Sequence, residues 1–184
     1  MKNKKQLFVV ILLSVLLLVV ARYCIHTDGP YKGKVVELDT GRPIEGAVVA
    51  TSWSIETWIN TWRFCDARET LTNKNGEFEL PKGWCAKHPF AIMHLPEVTI
   101  FKSGYLGYPQ TSFSSEIITI TGKVFRDKDQ YYLIELGKPK TRKERELTYD
   151  HAGFSDDESR QRLPILMRLL NEERRNLGLR GYEK

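Results

Sequence analysis

The sequence lacks the motifs that most enzyme families need. It contains no G-x-S-x-G, no H-E-x-x-H, no Walker loop and no dinucleotide-binding fingerprint. Only three cysteines and four histidines are available as nucleophiles or soft metal ligands. The sequence therefore predicts a protein that is not an enzyme, has no catalytic residues and needs no cofactor or metal.

The chain also lacks a basic excess that would indicate nucleic acid. Its formal net charge is +5, but Lys2, Lys4 and Lys5 precede the first acidic residue, Asp28. Removal of those three lysines with the N-terminal segment would leave only +2. The basic pI is therefore weak support for nucleic-acid binding, and we expect no nucleic acid among the partners.

The N-terminal segment, residues 1–25, has the pattern of an export signal. Its lysines precede Leu7–Ala21, fifteen residues in which Ser14 is the only polar one. The segment predicts either a signal peptide cleaved after Ala21 or an anchor that holds the membrane through residues 7–21. The rest of the chain would then be secreted, or be membrane-anchored and face the periplasm or the extracellular side.

Cys24 raises the alternative of a lipoprotein. Its neighbours Arg22 and Tyr23 stand where lipidation signals need small residues, so this alternative is disfavoured.

Alternating side chains and turn residues then predict strands. In Ala47–Trp53 successive residues fall on opposite faces of an extended chain, so one face can be buried. Asp39–Pro43 ends the strand before it, and Asn75–Gly76 is a strong hairpin signal between Leu71 and Phe78. Two strand pairs of this kind predict a mainly β domain.

These residues resemble the carboxypeptidase regulatory-like domain. The shared pattern consists of Gly33, Val35 and Glu37, then Thr40–Val49, then Thr72–Leu80, and finally Gly104–Tyr105. The resemblance implies a seven-stranded, transthyretin-like or immunoglobulin-like β-sandwich over residues 31–136, between an N-terminal hydrophobic helix and a C-terminal amphipathic helix. It also implies a module without catalysis of its own.

Enzymes related to this fold leave no trace in the sequence. The 5-hydroxyisourate hydrolases end in Tyr-Arg-Gly-Ser, whereas this chain ends Leu179–Lys184 in a different order. The zinc ligands of the metallocarboxypeptidases lie in a separate domain that this chain does not contain. A Cna-B-like sandwich with a Lys–Asn crosslink is disfavoured because Tyr131–Leu136 has no Asn.

An insertion at residues 54–69 carries the candidate binding surface, Trp58, Trp62 and Phe64. Trp58 and Trp62 stand four apart, a spacing that would place them together on a helical turn. They could stack on sugar rings or anchor a protein partner. The alternative is that the rings cover an open end of the sandwich, with Trp53 as a core residue.

Cys65 and Cys85 are predicted to form a disulfide. Export places them where thiols oxidise, and each lies in an irregular segment beside a predicted strand. A bridge closing this loop would stabilise the fold by roughly 3 kcal/mol. A reactive or metal-binding thiol pair is the alternative, and no nearby C-x-x-C or histidine at ligand spacing supports it.

His88 and His94 suggest a third hypothesis, a metal-dependent hydrolase. The two residues stand six apart, and a metal would need a further ligand such as Asp66 or Glu97. Two isolated histidines seldom make a site, so no metal residues are assigned.

The C-terminal region changes composition. Residues 137–163 form a charged segment of mixed sign, which predicts a solvated, extended linker. Pro164 then begins an amphipathic helix, residues 164–177, that ends before Gly178. The helix either lies on the sandwich or docks onto a partner, and the first role is the simpler one.

The sequence as a whole predicts an exported, envelope-associated binding or scaffolding module without catalytic activity. Its partner would be an envelope protein or a glycan. The main alternative is a carbohydrate-binding accessory domain that uses Trp58 and Trp62.

Overall fold

The computed structural model describes residues 2–57, 61–87, 91–112, 124–126, 131–151, 154 and 156–182. The helices are α1 (Lys2–Cys24), α2 (Arg142–His151), α3 (Asp157–Arg162) and α4 (Pro164–Asn176). The strands are β1 (Ile25–Asp28), β2 (Tyr31–Glu37), β3 (Val48–Glu56), β4 (Trp62–Leu71), β5 (Glu77–Leu80), β6 (Gly83–Ala86), β7 (Ile92–Met93), β8 (Glu97–Phe101), β9 (Tyr108–Ser112), β10 (Val124–Arg126) and β11 (Tyr131–Leu136).

The strands form a β-sandwich-like fold, and the protein is mainly β. The first sheet has the order β10-β11-β2-β5, in which only the β11–β2 pair is parallel. The second sheet has the antiparallel order β4-β3-β8-β9, and β7 pairs with the end of β3. A separate two-stranded ribbon pairs β1 with β6. Among the described residues the sheets are open: the first ends at β10 and β5, and the second at β4 and β9.

The turn before β5 is built by the residues that predicted it. The Asn73 side-chain oxygen accepts the N–H groups of Asn75 and Glu77, at 2.9 and 3.0 Å. Gly76 has a φ of 75°, and a Cβ there would lie 2.4 Å from the Val35 carbonyl oxygen. A side chain at this position would clash as well as strain the backbone, so glycine is required.

The sandwich core lies between the two sheets. Trp53 is fully buried in it, as predicted, and its indole N–H donates to Asp28 at 2.9 Å. The same core contains Tyr31, Val35, Ile44, Ala47, Val49, Phe78, Leu80, Val98, Ile100, Tyr132, Ile134 and Leu136. Because these residues alternate along their strands, each sheet contributes one face.

A helix-side core lies on the opposite face of the second sheet. Leu166 and Leu170 of α4 are fully buried there against Val48 and Ala50 of β3. The α4 helix begins at Pro164, and Leu163, which precedes it, offers no side-chain cap. The Glu69 carboxylate of β4 takes that role, accepting the N–H groups of Ile165 and Leu166 at 2.7 and 2.8 Å. The C-terminal helix therefore packs on the sandwich.

The prediction of an extended linker over residues 137–163 is wrong, because the segment contains α2 and α3. Thr141 accepts the Glu144 N–H at 3.2 Å at the start of α2, and Arg142 pairs with Glu146 one turn on. Asp156 caps α3 by accepting the Ser159 N–H at 2.6 Å. The mixed charge that suggested a solvated linker instead pairs along a helix.

The predicted insertion, residues 54–69, is also wrong as a separate element. Its first residues extend β3 and most of the rest form β4, paired from Glu56↔Trp62 onward. The Thr57 N–H donates to the Thr61 carbonyl at 2.9 Å, which closes the hairpin. Trp62 is thus the first residue of a strand rather than part of a helical turn, and Trp58 lies outside the described residues.

The ribbon follows α1 directly, since α1 ends at Cys24 and β1 begins at Ile25. The Lys87 N–H, just after β6, donates to the Cys24 carbonyl at 2.8 Å. Within the residues that the structure describes, no helix is long and apolar enough to cross a membrane.

Candidate functional site

The hairpin of β3 and β4 ends in a surface that we call the tip surface, formed by Glu56, Trp62, Ile92 and His94. Glu56 pairs with Trp62 on one side and with Ile92 on the other. Directly opposed residues of antiparallel strands point to the same face, and His94 follows Ile92 by two. The register therefore brings together residues that are far apart in the sequence.

Trp62 is the most prominent side chain of the tip surface. It is 59% exposed, and its ring stacks on the His94 imidazole with centroids 3.9 Å apart and planes 20° apart. The His94 Nε2 lies 3.1 Å from Glu56 Oε2. The carboxylate orients the imidazole and the imidazole supports one face of the indole. The indole keeps 59% of its surface exposed despite this stack.

Phe64 belongs to the same strand face as Trp62 but has another role. Its side chain is partly buried and packs against the helix-side core. Of the predicted candidate surface, the structure thus leaves Trp62 available and uses Phe64 in packing. Trp58, the third predicted residue, lies outside the described residues.

The other side of the hairpin tip is fixed by a disulfide. The predicted Cys65–Cys85 bridge is confirmed, and it joins β4 to β6 across a Cα–Cα distance of 5.0 Å. Both cysteines lie in strands rather than in the irregular segments that the sequence suggested. They pack with Ile55, Ala91 and Met93 in a small core under the tip.

A β-bulge explains how Cys65 reaches that core. Trp53 pairs with Asp66 and Ser54 with Phe64, so Cys65 has no opposite residue. The extra residue re-aims the chain, placing Phe64 on the helix side and Cys65 on the sandwich side. Alternation alone could not have predicted this, because a bulge shifts the pattern by one residue.

The residues of the metal hypothesis are not gathered into a site in the described part of the chain. No group of three His, Cys, Asp or Glu residues there could hold a metal ion. His94 lies against Trp62 and Glu56, and His88 lies outside the described residues.

A second candidate is an open pocket of about 550 Å³ between the start of α2 and the end of α4. Lys138, Arg142 and Arg145 are among its lining residues. Each of them is paired with a carboxylate: Glu37, Glu146 and Glu173, respectively. Three of the four cations that line the pocket, the fourth being Lys140, are thus neutralised by carboxylates.

The pKa shifts around this pocket reflect the ion pairs. Burial raises the pKa of Glu173, but hydrogen bonds from Arg145 and Ser103 outweigh it, so the pKa is lowered. The same bond raises the pKa of Arg145. The hydrogen bond from Lys138 lowers the pKa of Glu37. These groups hold α2, α4 and the chain after β11 together.

Two exposed apolar residues were missed by the sequence reasoning. Trp84 is 50% exposed and Ile25 is 57% exposed, both in the β1–β6 ribbon. The only signal for them was the alternation of Gly83–Ala86 beside a cysteine, which is too short to distinguish a strand from a loop.

Comparisons with known proteins give no family for this chain. No family model matches it, and no curated protein matches it. Among solved structures, a 9R-lipoxygenase from Cyanothece PCC8801 matches with a TM-score of 0.27 and 13% identity. That match covers 60% of this chain and only 13% of the lipoxygenase chain. A likeness this weak carries no argument about fold or function.

Proposed function

We propose that this protein is an exported binding module of the cell envelope, without catalytic activity, and that the tip surface is its binding site. The observation that carries the proposal is the exposed indole of Trp62, supported by His94 and Glu56. Trp62 and Ile92 of the tip surface are 59% and 62% exposed, and adjacent exposed apolar side chains of this kind are typical of interaction sites.

The tip surface suits recognition because it is already ordered. Tryptophan is enriched among the residues that dominate binding energy. The His94 stack and the disulfide beneath the hairpin restrict the ring before a partner arrives. Binding then needs little additional ordering, which is the physical basis of preorganisation.

The proposal includes the finer fold, a seven-stranded transthyretin-like sandwich of the carboxypeptidase regulatory-like type. Gly33 supports it, because this motif glycine lies in β2 between β5 and β11. A Cβ there would lie 2.2 Å from the Tyr132 carbonyl oxygen and 2.8 Å from the Phe78 ring. The motif therefore has a packing reason in this chain.

The proposal also includes the location. The apolar run Leu7–Ala21 behind basic residues supports export, with the segment retained as an anchor or cleaved after Ala21. The disulfide agrees with an oxidising compartment.

Photo-crosslinking in the native envelope tests the proposed site. A benzophenone amino acid placed at Trp62 should yield one defined adduct by mass spectrometry. The matched control is the same amino acid at Leu71, which ends β4 at the far end of the hairpin and is 42% exposed. The control should yield only background.

A folded Trp62→Ala variant completes this test. It should lose the partner in co-purification while unfolding within about 1.5 kcal/mol of wild type, since its ring is exposed and has one stacking contact. Equal adducts from positions 62 and 71, or retained capture by Trp62→Ala, would exclude the tip surface as the site.

A glycan remains the alternative partner for the same ring. Sugar rings stack on exposed indoles, and the Glu56 carboxylate beside Trp62 could accept a hydroxyl. Titration with soluble envelope glycan fragments distinguishes the two. Heat of binding that Trp62→Ala abolishes would indicate a glycan, whereas a protein adduct at position 62 would indicate a protein.

A further inference from the structure

The β1–β6 ribbon carries a second exposed apolar surface, which we call the ribbon face: Ile25, Thr27, Trp84 and Ala86. The pairs Ile25↔Ala86 and Thr27↔Trp84 place all four side chains on one side of the ribbon. Each is exposed, and Ile25 and Trp84 are 57% and 50% exposed. The opposite side carries Gly83 and Cys85, which are buried, and His26, which is exposed, so the β6 half of that side packs inward.

The ribbon face is joined to α1 without a linker. Ile25 is the residue after the end of α1, and the Lys87 N–H binds the Cys24 carbonyl. Along α1, large apolar side chains are exposed; they are Leu7, Phe8, Val9, Val10, Ile11, Leu12, Leu13, Val15 and Leu18. Whatever surrounds α1 therefore also determines the environment of the ribbon.

Basic groups flank this surface. The Arg63 guanidinium donates to the Ala86 carbonyl at 2.5 Å, and Lys82 and Lys87 immediately precede and follow β6. The one carboxylate of the ribbon, Asp28, alternates to the inner side and accepts the Trp53 indole N–H. An apolar face with a tryptophan and a cationic edge has the composition of a membrane-interface contact.

We propose that the ribbon face lies on the lipid surface and fixes the orientation of the sandwich relative to the membrane. The inference rests on the part of the proposed function in which the N-terminal segment is retained as an anchor. Leu7–Ala21 has fifteen residues. As a helix they extend about 22 Å, against about 30 Å of hydrocarbon. A short anchor draws the residues that follow it toward the interface, and those are Arg22–Cys24 at the end of α1 and then the ribbon.

This orientation leaves the tip surface available. Phe64, on the same strand face as Trp62, packs with the helix-side core, whereas Cys85 of the ribbon packs with Ile55 on the sandwich side. Trp62 therefore lies on the helix side of the second sheet, whereas the ribbon packs on its sandwich side through Cys85. With the ribbon on the lipid, Trp62 faces away toward a partner in the envelope.

Depth-dependent fluorescence quenching tests the inference on the full chain. The protein is reconstituted in phosphatidylethanolamine and phosphatidylglycerol vesicles containing lipids brominated near the headgroup. Wild type is compared with Trp84→Phe and with the matched variant Trp62→Phe. We expect Trp84→Phe to lose most of the quenchable emission and Trp62→Phe to retain it.

Vesicle flotation separates this inference from the anchor on which it rests. If the protein floats and Trp84→Phe removes the quenchable emission, the ribbon face lies at the interface. If the protein floats but quenching is the same in Trp84→Phe and wild type, the inference is overturned while the anchor stands. If the full chain does not float, the N-terminal segment does not anchor the protein in the membrane, and the proposed position of the ribbon face is excluded as well.

Discussion

The two cores on either side of the second sheet are held in different ways. The sandwich core is built from alternating strand residues that interlock across two sheets, with Trp53 at its centre. The helix-side core uses leucines of α4 on β3, but its geometry depends on polar contacts. Glu69 caps α4, Ser52 bonds Ser159 at 2.8 Å, and Glu173 joins Ser103 to Arg145. The alternation of apolar residues along the strands determines the sandwich core, whereas individual polar contacts determine the position of the helices in the helix-side core.

This difference predicts how each core fails. A change in the sandwich core should lower the stability of the whole domain, because both sheets share it. A change in a polar contact of the helix-side core should first release α4 and leave the strands paired. Four tests, from the largest expected effect to the smallest, examine this contrast.

Trp53→Ala should have the largest effect. It removes a fully buried indole and the hydrogen bond to Asp28, and truncations of this kind cost about 3–5 kcal/mol. Urea unfolding followed by circular dichroism should show one cooperative transition at a lower midpoint. Trp62→Ala is the control, because its ring is exposed. Similar losses in both variants would contradict the assignment of Trp53 alone to the core.

Removing the disulfide should come next. The bridge closes a loop with a sequence separation of 20, so Cys65→Ala with Cys85→Ala should cost roughly 3 kcal/mol. The loss should again be global, since the bridge packs against Ile55 in the sandwich layer. Urea midpoints of the oxidised protein, the double variant and the chemically reduced protein measure it. An unchanged midpoint in both altered forms would mean that the bridge does not constrain the unfolded chain.

Glu69→Ala should act locally. It leaves the N–H groups of Ile165 and Leu166 without their acceptor, at a cost of about 1–3 kcal/mol. Hydrogen exchange of the α4 amides should accelerate, while β2 and β11 keep their protection. The control is Arg175→Ala on the exposed side of α4. Faster exchange throughout both sheets would show that the two cores unfold together.

The same contrast explains what the sequence could predict. Trp53 in the core, the Asn75–Gly76 turn and a helix beginning at Pro164 follow from alternation and turn chemistry, whereas the Cys65–Cys85 pair was predicted from the expectation of export. Local rules determine these features, so a single sequence is enough.

Other features depend on contacts between distant residues. The bulge at Cys65, the cap of α4 by Glu69 and the stack of His94 on Trp62 join segments that local patterns treat separately. Residues 137–163 were misread because mixed charge supports either a solvated coil or a helix with paired neighbours. The sequence therefore predicted Trp62 as a candidate binding residue, but it did not predict that His94 and Glu56 support the ring.

The smallest effect concerns pH, and here two carboxylates of the helix-side core should act in opposite directions. The pKa of Glu173 is lowered in the folded protein. Its contribution to stability is therefore complete above the pKa that it has in the unfolded chain, and is lost as pH falls through its pKa in the folded protein. Burial raises the pKa of Glu69, although the N–H groups of Ile165 and Leu166 oppose the shift. The contribution of Glu69 to stability is therefore present below its pKa in the unfolded chain, and is lost as pH rises through its pKa in the folded protein.

Urea midpoints measured across the range in which carboxylates titrate should reveal these slopes. Glu173→Gln should flatten the loss of stability on acidification, and Glu69→Gln should make the loss on acidification steeper, because each removes one of two opposing terms. Glu146→Gln is the control, since its pair with Arg142 is exposed and should contribute below about 1 kcal/mol. Parallel curves for all three variants would mean that Glu69 and Glu173 do not link α4 to pH. In that case apolar contacts alone, chiefly Leu166 and Leu170, would hold the helix-side core.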